Sequence, residues 1–536
     1  QEKSRITSRI LQEKQFANHP PQTMSSIPKV ITFDDGWERI NRQGLSKLVE
    51  YLETGEIKNF SKKETTELYT IIYNMCVQRG QSNCAAQLYI NYGGFIRSYL
   101  AEKVLHQLQN SNGEEILTEM IRLWDNHLVM LRWLKKFFMY LERYHTHQNS
   151  LASLKEVGYS AFKMTIFDVV KDRLREAILE QIKLNREDEI NSTAEMRIDP
   201  QTLKKVINIF VEMKEDRSTY GEDFEVQFID ASKLYFREIS RVWMDQNFPE
   251  YIKNAEKTKL LEQERVRLYL HTSTEDSLMK AFQREVLSER QNALLEKESG
   301  IKSLLANKKT EDLARMFRLF SCSEDILKPV ADAFRQYVAR VGTKSVEDRS
   351  EAIRSQAVKD SVHDPTFIKG IIELHDEYKT MVNECFNRHA LFERSLKTAF
   401  ESFFNVTIGR YTTAELLSTF SDCILRKNAE KLSDEEIEDK IDKIVDLFSH
   451  LTDKDLFASS YRTKLAQRLL YEKSASDDAE RTMITKLKSK CGAHFTKKLE
   501  GMISDLNIAS DGRREYLSWM NENKQDNLNV EFTPTV

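Results

Sequence analysis

The chain has 536 residues, too many for a single hydrophobic core, yet it contains only 16 glycines and 8 prolines. Because proline interrupts helices and glycine is frequent in loops, this composition favours an all-α fold. The net charge of −4 argues against nucleic acid or an anionic membrane as the general partner. The six cysteines are scattered without a CxxC pair, which excludes a disulfide framework or a cysteine-rich zinc site, and no apolar run reaches the ~18 residues of a membrane span.

The first segment, residues 1–33, is polar and aperiodic, includes Pro20 and Pro21, and predicts a disordered leader. From Asp34 onward, helical patterns follow one another between short polar joints. We place the joints at 79–84, 145–150, 186–201 and 342–365. No strict repeat period is visible, so any repeats must be structural and diverged.

A first helix, ETTELYTIIYNMC at 64–76, carries a tyrosine-rich face. That face consists of Thr65, Leu68, Tyr69, Ile72 and Tyr73. Tyrosine is frequent at protein interfaces because it combines a large apolar area with a polar tip. The pattern therefore fits either a docking helix or a helix that is fully buried.

A second helix, predicted at 121–144, has two apolar stripes. The first stripe consists of Trp124, Leu128, Leu131, Leu134, Phe138 and Leu141, and the second of Met130, Trp133, Phe137, Tyr140 and Tyr144. An ordinary surface helix needs only one such stripe. The second stripe requires a neighbour, either another helix of the same domain or a partner protein, and interior helices are the commoner of the two.

Further along the chain, helix-start signals precede a basic segment. Ser433 and Glu436 form a capping box, and Ser476 in SASDDAE is a good N-cap for a helix that ends before Gly492. Between 461 and 500, ten basic residues oppose five acidic ones. This excess could attract an acidic partner or simply form a solvated helical face.

No catalytic, cofactor or metal motif is present. GxGxxG, GxxxxGK[ST], HExxH and GxSxG do not occur. His375 and Asp376 are adjacent, but neighbouring helical residues point about 100° apart and do not form an acid–base pair. We therefore predict no catalytic residues, no cofactor and no metal ligands.

A long collinear set of segments resembles the cullin family. Residues 454–506, from KDLFASSYRTKLAQRLL to MISDL, resemble its signature block. The segments ELYTIIYNMC, LRWLKKFFMYLERY, IIELHDEY and ELLSTFSDCILRK are similar to cullin segments in the same order. The resemblance spans about 35–536 and is greatest to plant cullins of the SCF (Skp–cullin–F-box) class.

This resemblance implies an elongated all-α stalk of three five-helix repeats, followed by a four-helix bundle that begins the cullin homology domain. The implied segments are a leader at 1–33, repeats at 34–149, 150–265 and 266–395, and the C-terminal domain from 396 to 536. It further implies a non-catalytic scaffold of a multisubunit ubiquitin ligase in the cytoplasm and nucleus. The implied partner is a Skp-type adaptor carrying an F-box receptor, with no nucleic acid and no membrane.

The resemblance also implies where the adaptor binds, because family members hold it on the second and fifth helices of the first repeat. Those helices match the two described above, which makes the second stripe a docking face. The expected adaptor contacts are Leu68, Tyr69, Ile72, Tyr73, Met130, Trp133 and Tyr140. Thr65 stands where relatives usually have an aromatic ring, which we expect to weaken docking by about 1 kcal/mol or to change adaptor preference.

Two other features are read through the same resemblance. Arg462, Lys464 and Arg468 match a basic patch that attracts the acidic tail of a ubiquitin-conjugating enzyme, although Thr463 and Gln467 replace basic residues. Gly93 and Gly94 fall where relatives continue a helix.

The C-terminal segment leaves alternatives open. The chain stops at LNVEFTPTV, before the region that binds a RING protein and carries the modified lysine in relatives, so RING binding stays open. The sequence is then either a fragment or a truncated cullin that competes with intact ones. A helical tether of vesicles or membranes is the alternative from another class.

Overall fold

The computed structural model describes residues 30–55, 60–78, 83–109, 111–190, 199–213, 218–355, 363–427 and 433–522. Most of the predicted leader and the final LNVEFTPTV lie outside these residues. Almost all of the described chain is α-helical, as the composition predicted, and the one sheet in the described part is a two-stranded hairpin.

The first half of the chain is a succession of helices with short joints. Its helices are α1 Phe33–Ile40, α2 Ser46–Thr54, α3 Lys62–Val77, α4 Ala85–Tyr99, α5 Leu105–Leu108, α6 Glu114–Phe137, α7 Leu154–Phe162, α8 Asp168–Ile190, α9 Pro200–Glu212, α10 Ser218–Tyr220, α11 Val226–Trp243 and α12 Phe248–Leu268. Within the described ranges, six π-helical turns adjoin helices, at Asn41–Leu45, Leu100–Val104, Leu141–Thr146, Lys163–Phe167, Gly221–Glu225 and Gln283–Leu287.

The second half continues the helical pattern and adds the hairpin. Its helices are α13 Thr274–Phe282, α14 Gln291–Glu296, α15 Ile301–Ala306, α16 Thr310–Phe320, α17 Glu324–Arg354, α18 Thr366–Glu384, α19 Ala390–Phe404, α20 Thr413–Leu425, α21 Asp434–Phe448, α22 Lys454–Leu470, α23 Asp477–Cys491 and α24 Ala493–Glu522. A 3₁₀ turn occupies Ser288–Arg290. Strands β1 Thr407–Ile408 and β2 Tyr411–Thr412 pair antiparallel around Gly409, whose positive φ of 68° suits glycine.

The chain divides into two compact units. The first contains the residues up to Ala231 together with Glu264–Glu275, and the second contains Ser232–Gln263 and the residues from Asp276 onward. Within the first unit, α3 packs against α1 and α6, and α4 packs against α7. Within the second, α17 packs along α19, and α20, α21, α22, α23 and α24 pack together.

A repeated element is visible in the structure although no sequence period was found. A helix of eight or nine residues followed by a five-residue π-turn begins at Phe33, Leu154 and Thr274, which are 121 and 120 residues apart. The π-turns at Leu100–Val104 and Gly221–Glu225 are also 121 residues apart. The residues differ at these positions, but the backbone deviation recurs. The repeat boundaries predicted at 34, 150 and 266 lie close to these onsets and stay a prediction.

The joint predicted at 342–365 is wrong over its first part, because α17 runs unbroken to Arg354. Gly342, the first residue of that predicted joint, lies inside α17 where Phe403 of α19 approaches closely. A Cβ at Gly342 would lie 2.2 Å from a ring carbon of Phe403. Glycine is required here by packing and not by a turn.

Gly93 and Gly94 both lie inside α4, and the structure separates their roles. A Cβ at Gly93 would meet Val157 at 3.2 Å, whereas a Cβ at Gly94 would meet nothing within 4 Å. We therefore expect Gly94→Ala to raise the free energy of unfolding by about 1 kcal/mol through helix propensity. Gly342→Ala should lower it by about 1–3 kcal/mol because the Phe403 ring must move. Urea-induced unfolding followed by circular dichroism measures the change in free energy of unfolding for each variant. Equal changes in the two variants would contradict this account.

Candidate functional site: an aromatic docking face

The predicted tyrosine helix is observed as α3, and its start is fixed by a capping box. The Ser61 amide donates to Glu64 Oε2 at 2.8 Å, and the Glu64 amide donates to Ser61 Oγ at 3.2 Å. The hydrogen bond that the Ser61 amide donates to the Glu64 carboxylate, with a further hydrogen bond from Lys47, lowers the pKa of Glu64 to about 2. The cap determines where α3 begins, and therefore which residues face α6.

The second predicted helix is observed as α6, but it does not continue to Tyr144. The helix α6 ends at Phe137. The next residue, Phe138, departs from α-helical geometry with φ −94° and ψ 20°, and the π-turn Leu141–Thr146 follows. The prediction of a single helix over 121–144 is therefore corrected at its C-terminal end. The altered turn still leaves Tyr140 beside Tyr73 of α3.

Four tyrosines from these two elements form one contiguous surface, which we call the tyrosine cluster: Tyr69, Tyr73, Tyr140 and Tyr144. The ring centroids of Tyr69 and Tyr73 are 6.3 Å apart, those of Tyr73 and Tyr140 are 4.9 Å apart edge to face, and those of Tyr140 and Tyr144 are 4.5 Å apart. Tyr73 is 39% exposed and Tyr144 49%. The cluster is thus a fixed aromatic surface that remains accessible from outside.

The hydroxyl groups of the cluster are partly desolvated. Burial raises the pKa of Tyr69, the neighbouring Tyr144 and Tyr73 add to this rise, and Arg143 opposes it. Burial is also the main cause that raises the pKa of Tyr140.

Trp133 extends the surface along α6 and connects it to the core. Its ring lies 5.1 Å from Phe60 and 6.2 Å from Phe137, and it remains partly exposed. Lys136 places its ammonium group 4.0 Å from the Trp133 ring centroid. The indole is therefore held in position on both sides.

Three of the residues predicted to contact an adaptor are not surface residues. Leu68 is 1% exposed, and Ile72 and Met130 are fully buried. A Cβ at Gly44 would lie 2.9 Å from Leu68, so the Leu68 side chain packs against the π-turn before α2. The prediction is corrected for these three residues, because their side chains form the core beneath the docking face. Tyr69, Tyr73, Trp133 and Tyr140 remain candidates for direct contact.

Thr65 lies at the edge of this face and offers no ring. It is half-buried, and its hydroxyl donates to the Ser61 carbonyl oxygen at 3.0 Å. The hydroxyl is therefore used within α3. Its expected effect on docking stays a prediction.

His127 lies in the core of the first unit, between Trp124 and Phe162. Its Nε2 is 3.1 Å from the Gly158 carbonyl oxygen, and burial lowers its pKa to about 3, against the opposing effect of that hydrogen bond. The residue is therefore neutral at physiological pH and belongs to the packing of α6 on α7.

His127 should make stability depend on pH. Its pKa is depressed on folding, so the stabilisation is complete above the unfolded value of about 6.5 and is lost as pH falls toward 3. Between pH 7 and pH 5 the loss should be about 2 kcal/mol. His127→Gln should remove this part of the pH dependence, and His106→Gln, at an exposed site, should not. Denaturant unfolding monitored by tryptophan fluorescence at both pH values gives the free energy of unfolding of wild type and of each variant. An equal loss of stability between the two pH values in all three proteins would contradict this role of His127.

The predicted basic patch of the second unit is smaller than expected. Arg462 is exposed and Lys464 half-buried, but Arg468 has no exposed surface. Its guanidinium binds both carboxylate oxygens of Glu480 at 2.7 and 2.9 Å and the Asp422 carboxylate at 2.6 Å. Arg468 is therefore corrected from a partner-binding residue to a structural one.

We call Asp422, Arg468 and Glu480 the buried ion cluster. Each comes from a different helix, α20, α22 and α23. Ser474 and Tyr461 donate further hydrogen bonds to Glu480, at 2.9 and 3.3 Å. The SASDDAE stretch is thus a helix start, as predicted from Ser476, and its Glu480 also anchors this cluster.

The candidate acid–base residues have structural surroundings. His375 Nδ1 is 3.9 Å from Asp376, beyond hydrogen-bond distance, and His375 Nε2 is 3.3 Å from Nε2 of His450. Burial lowers the pKa of both histidines, that of His450 to about 3. Within the described ranges, no cluster of three or more potential metal ligands occurs, and no helix there is long and apolar enough to cross a membrane.

A helical-repeat protein with an exposed aromatic face on one repeat belongs to the class of helical scaffold proteins that organise other proteins. The family of this scaffold is defined by sequence: the cullin alpha solenoid domain matches residues 43–512. The chain is 39% identical to Cullin-1 of Oryza sativa subsp. japonica over 516 residues, which are 95% of this chain and 68% of that protein. It is 35% identical to Cullin-2 of Arabidopsis thaliana over 510 residues, 94% of this chain and 68% of that protein.

A third relative is the Putative cullin-like protein 1 of Arabidopsis thaliana, 33% identical over 95% of this chain and 67% of that protein. The chain belongs to the cullin family and is similar to plant Cullin-1. Cullins are scaffold subunits of cullin-RING ubiquitin ligases. The predicted family and all-α repeat fold are therefore confirmed.

Proposed function

We propose that this cullin is a non-catalytic scaffold of an SCF-type ubiquitin ligase and that the tyrosine cluster, together with Trp133, binds a Skp-type adaptor with its F-box receptor. The observation that carries the proposal is the accessible contact between Tyr73 of α3 and Tyr140 beyond α6. Large exposed aromatic groups held on rigid helices are the groups that dominate protein interfaces.

The surface is also preorganised. Leu68, Ile72 and Met130 pack beneath it without exposed area, and Phe60 and Phe137 support Trp133 from the core. Rings fixed in this way lose little conformational entropy on binding, so most of the contact energy contributes to affinity. The exposed surface of an ordinary helical repeat would carry charged side chains where this surface carries aromatic rings.

A scaffold role is consistent with how the chain uses its histidines. His127, His375 and His450 are buried, and each contacts aromatic rings of the core. Their low pKa values leave them neutral and packed. They act as core residues.

The proposal is tested by titrating the purified chain with a purified plant Skp-type adaptor bound to an F-box protein, using calorimetry. We expect saturable binding with one adaptor per chain at micromolar concentration or below. Anionic lipid vesicles serve as the comparison, because a membrane tether would bind them. Vesicle binding without adaptor binding would refute the proposed function.

A further inference from the structure

The tyrosine cluster is flanked by two basic side chains of the same face. Lys136 lies over the Trp133 ring at 4.0 Å, and Arg143, three residues beyond Tyr140, acts electrostatically on the Tyr69 hydroxyl. Both side chains are exposed. We call Lys136 and Arg143 the basic rim.

The basic rim has no carboxylate partner among the residues that the structure describes. Other cations of the first unit do pair with carboxylates, as Arg122 does with Glu119 and Lys47 with Glu64. The nearest acidic residue in sequence, Glu142, accepts a hydrogen bond from the Leu154 amide at 2.7 Å and is thus used to join α7. The rim charges are therefore available to groups outside the chain.

Contacts with the aromatic residues define where the basic rim lies. The cation–π contact holds the Lys136 ammonium group against Trp133. Arg143 belongs to the π-turn Leu141–Thr146 and lies between Tyr140 and Tyr144 of the tyrosine cluster in the chain. Arg132 and Lys135, by contrast, line a groove with Glu142 and Tyr159 on another side of α6.

We propose that the basic rim selects a protein partner whose binding surface has an apolar centre bordered by carboxylates. This inference rests on the proposed function and names the chemistry of the adaptor surface that the tyrosine cluster accepts. Opposite charges at the border of an interface mainly speed association and fix orientation, whereas the aromatic centre supplies most of the affinity.

Single-stranded nucleic acid is the competing ligand, because it also combines negative charge with flat rings. The geometry disfavours it. Tyr73 and Tyr140 meet edge to face at 85°, so the two rings do not form a parallel platform on which successive bases could stack. Two cations are also few for tracking a phosphate backbone.

The test compares wild type with Lys136→Glu/Arg143→Glu and with the control Arg132→Glu/Lys135→Glu, which makes the same change in net charge at two exposed positions of α6. Association with the Skp-type adaptor complex is measured by stopped-flow fluorescence at low and high salt. We expect the rim variant to associate about tenfold more slowly at low salt, and this difference to shrink at high salt. The control should stay within about twofold of wild type.

The outcomes separate this inference from the proposed function. If wild type and both variants associate equally fast, the rim inference is overturned while adaptor binding stands. If wild type does not bind the adaptor, the proposed function fails. The rim inference is then tested by measuring the binding of polyglutamate and of an oligothymidylate to the three proteins. Polyglutamate binding that is lost only in the rim variant supports the inference. Equal binding by the three proteins, or preference for the oligonucleotide, overturns it.

Discussion

Replacing Arg468 with methionine should lower the free energy of unfolding of the second unit by about 3–5 kcal/mol. Methionine fills most of the same volume, so the loss arises from charge and not from a cavity. Without the guanidinium, the carboxylates of Asp422 and Glu480 stay buried, 6% and 1% exposed, with their principal counter-ion removed. Hydrogen–deuterium exchange of the α22 and α23 amides measures the effect where it occurs.

Two comparisons make this prediction specific. Arg462→Met, on the exposed side of the same helix, should change stability by no more than about 0.5 kcal/mol. Replacing the whole buried ion cluster, with Asp422→Leu and Glu480→Met added to Arg468→Met, should restore most of the lost stability, because no unpaired buried charge remains and Arg426, which also pairs with Asp422, is exposed to water. If Arg468→Met alone exchanges like wild type, the cluster does not stabilise the bundle of α20, α22 and α23.

The buried ion cluster shows why the basic patch was overestimated from sequence. Charge counted along residues 461–500 assumes that each cation faces water. Arg468 instead meets Asp422, which is 46 residues away, and only the three-dimensional packing of α20 on α22 reveals that neighbour. The capping signals were predicted correctly because they are local: Ser433 with Glu436 and Ser476 each act within three residues.

The tyrosine cluster was predicted in outline because helical spacing is also a local signal. Helical spacing placed Leu68, Tyr69, Ile72 and Tyr73 on one stripe, but a stripe has an inner and an outer edge. Leu68 and Ile72 are four residues apart on the inner edge, and Tyr69 and Tyr73 on the outer. The separation of aliphatic from aromatic residues within the stripe was the available signal, and it indicates depth. The π-turn after Phe138 carried no comparable signal.

Replacing Tyr69 and Tyr140 together with alanine should weaken adaptor binding about 100-fold or more. Each ring is large and partly desolvated, and such residues commonly cost about 2 kcal/mol or more when truncated at the centre of an interface. The two rings contact each other through Tyr73, at 6.3 and 4.9 Å, so their effects should not add exactly as independent sites would. Calorimetric titration with the Skp-type adaptor complex gives the affinity directly.

The matched control is Tyr99→Ala/Tyr159→Ala, which removes two half-buried rings from α4 and α7 of the same unit. Both double variants should lose some stability, and only the first should lose affinity. Tyr69→Phe/Tyr140→Phe then separates ring from hydroxyl, since phenylalanine keeps the apolar area and removes the polar tip. Near-wild-type affinity in the phenylalanine pair would assign the binding energy to aromatic area. Near-wild-type affinity in the alanine pair would mean that the adaptor binds away from α3 and α6. The pair removes two rings of this face and leaves Leu68 and Met130 in place beneath it.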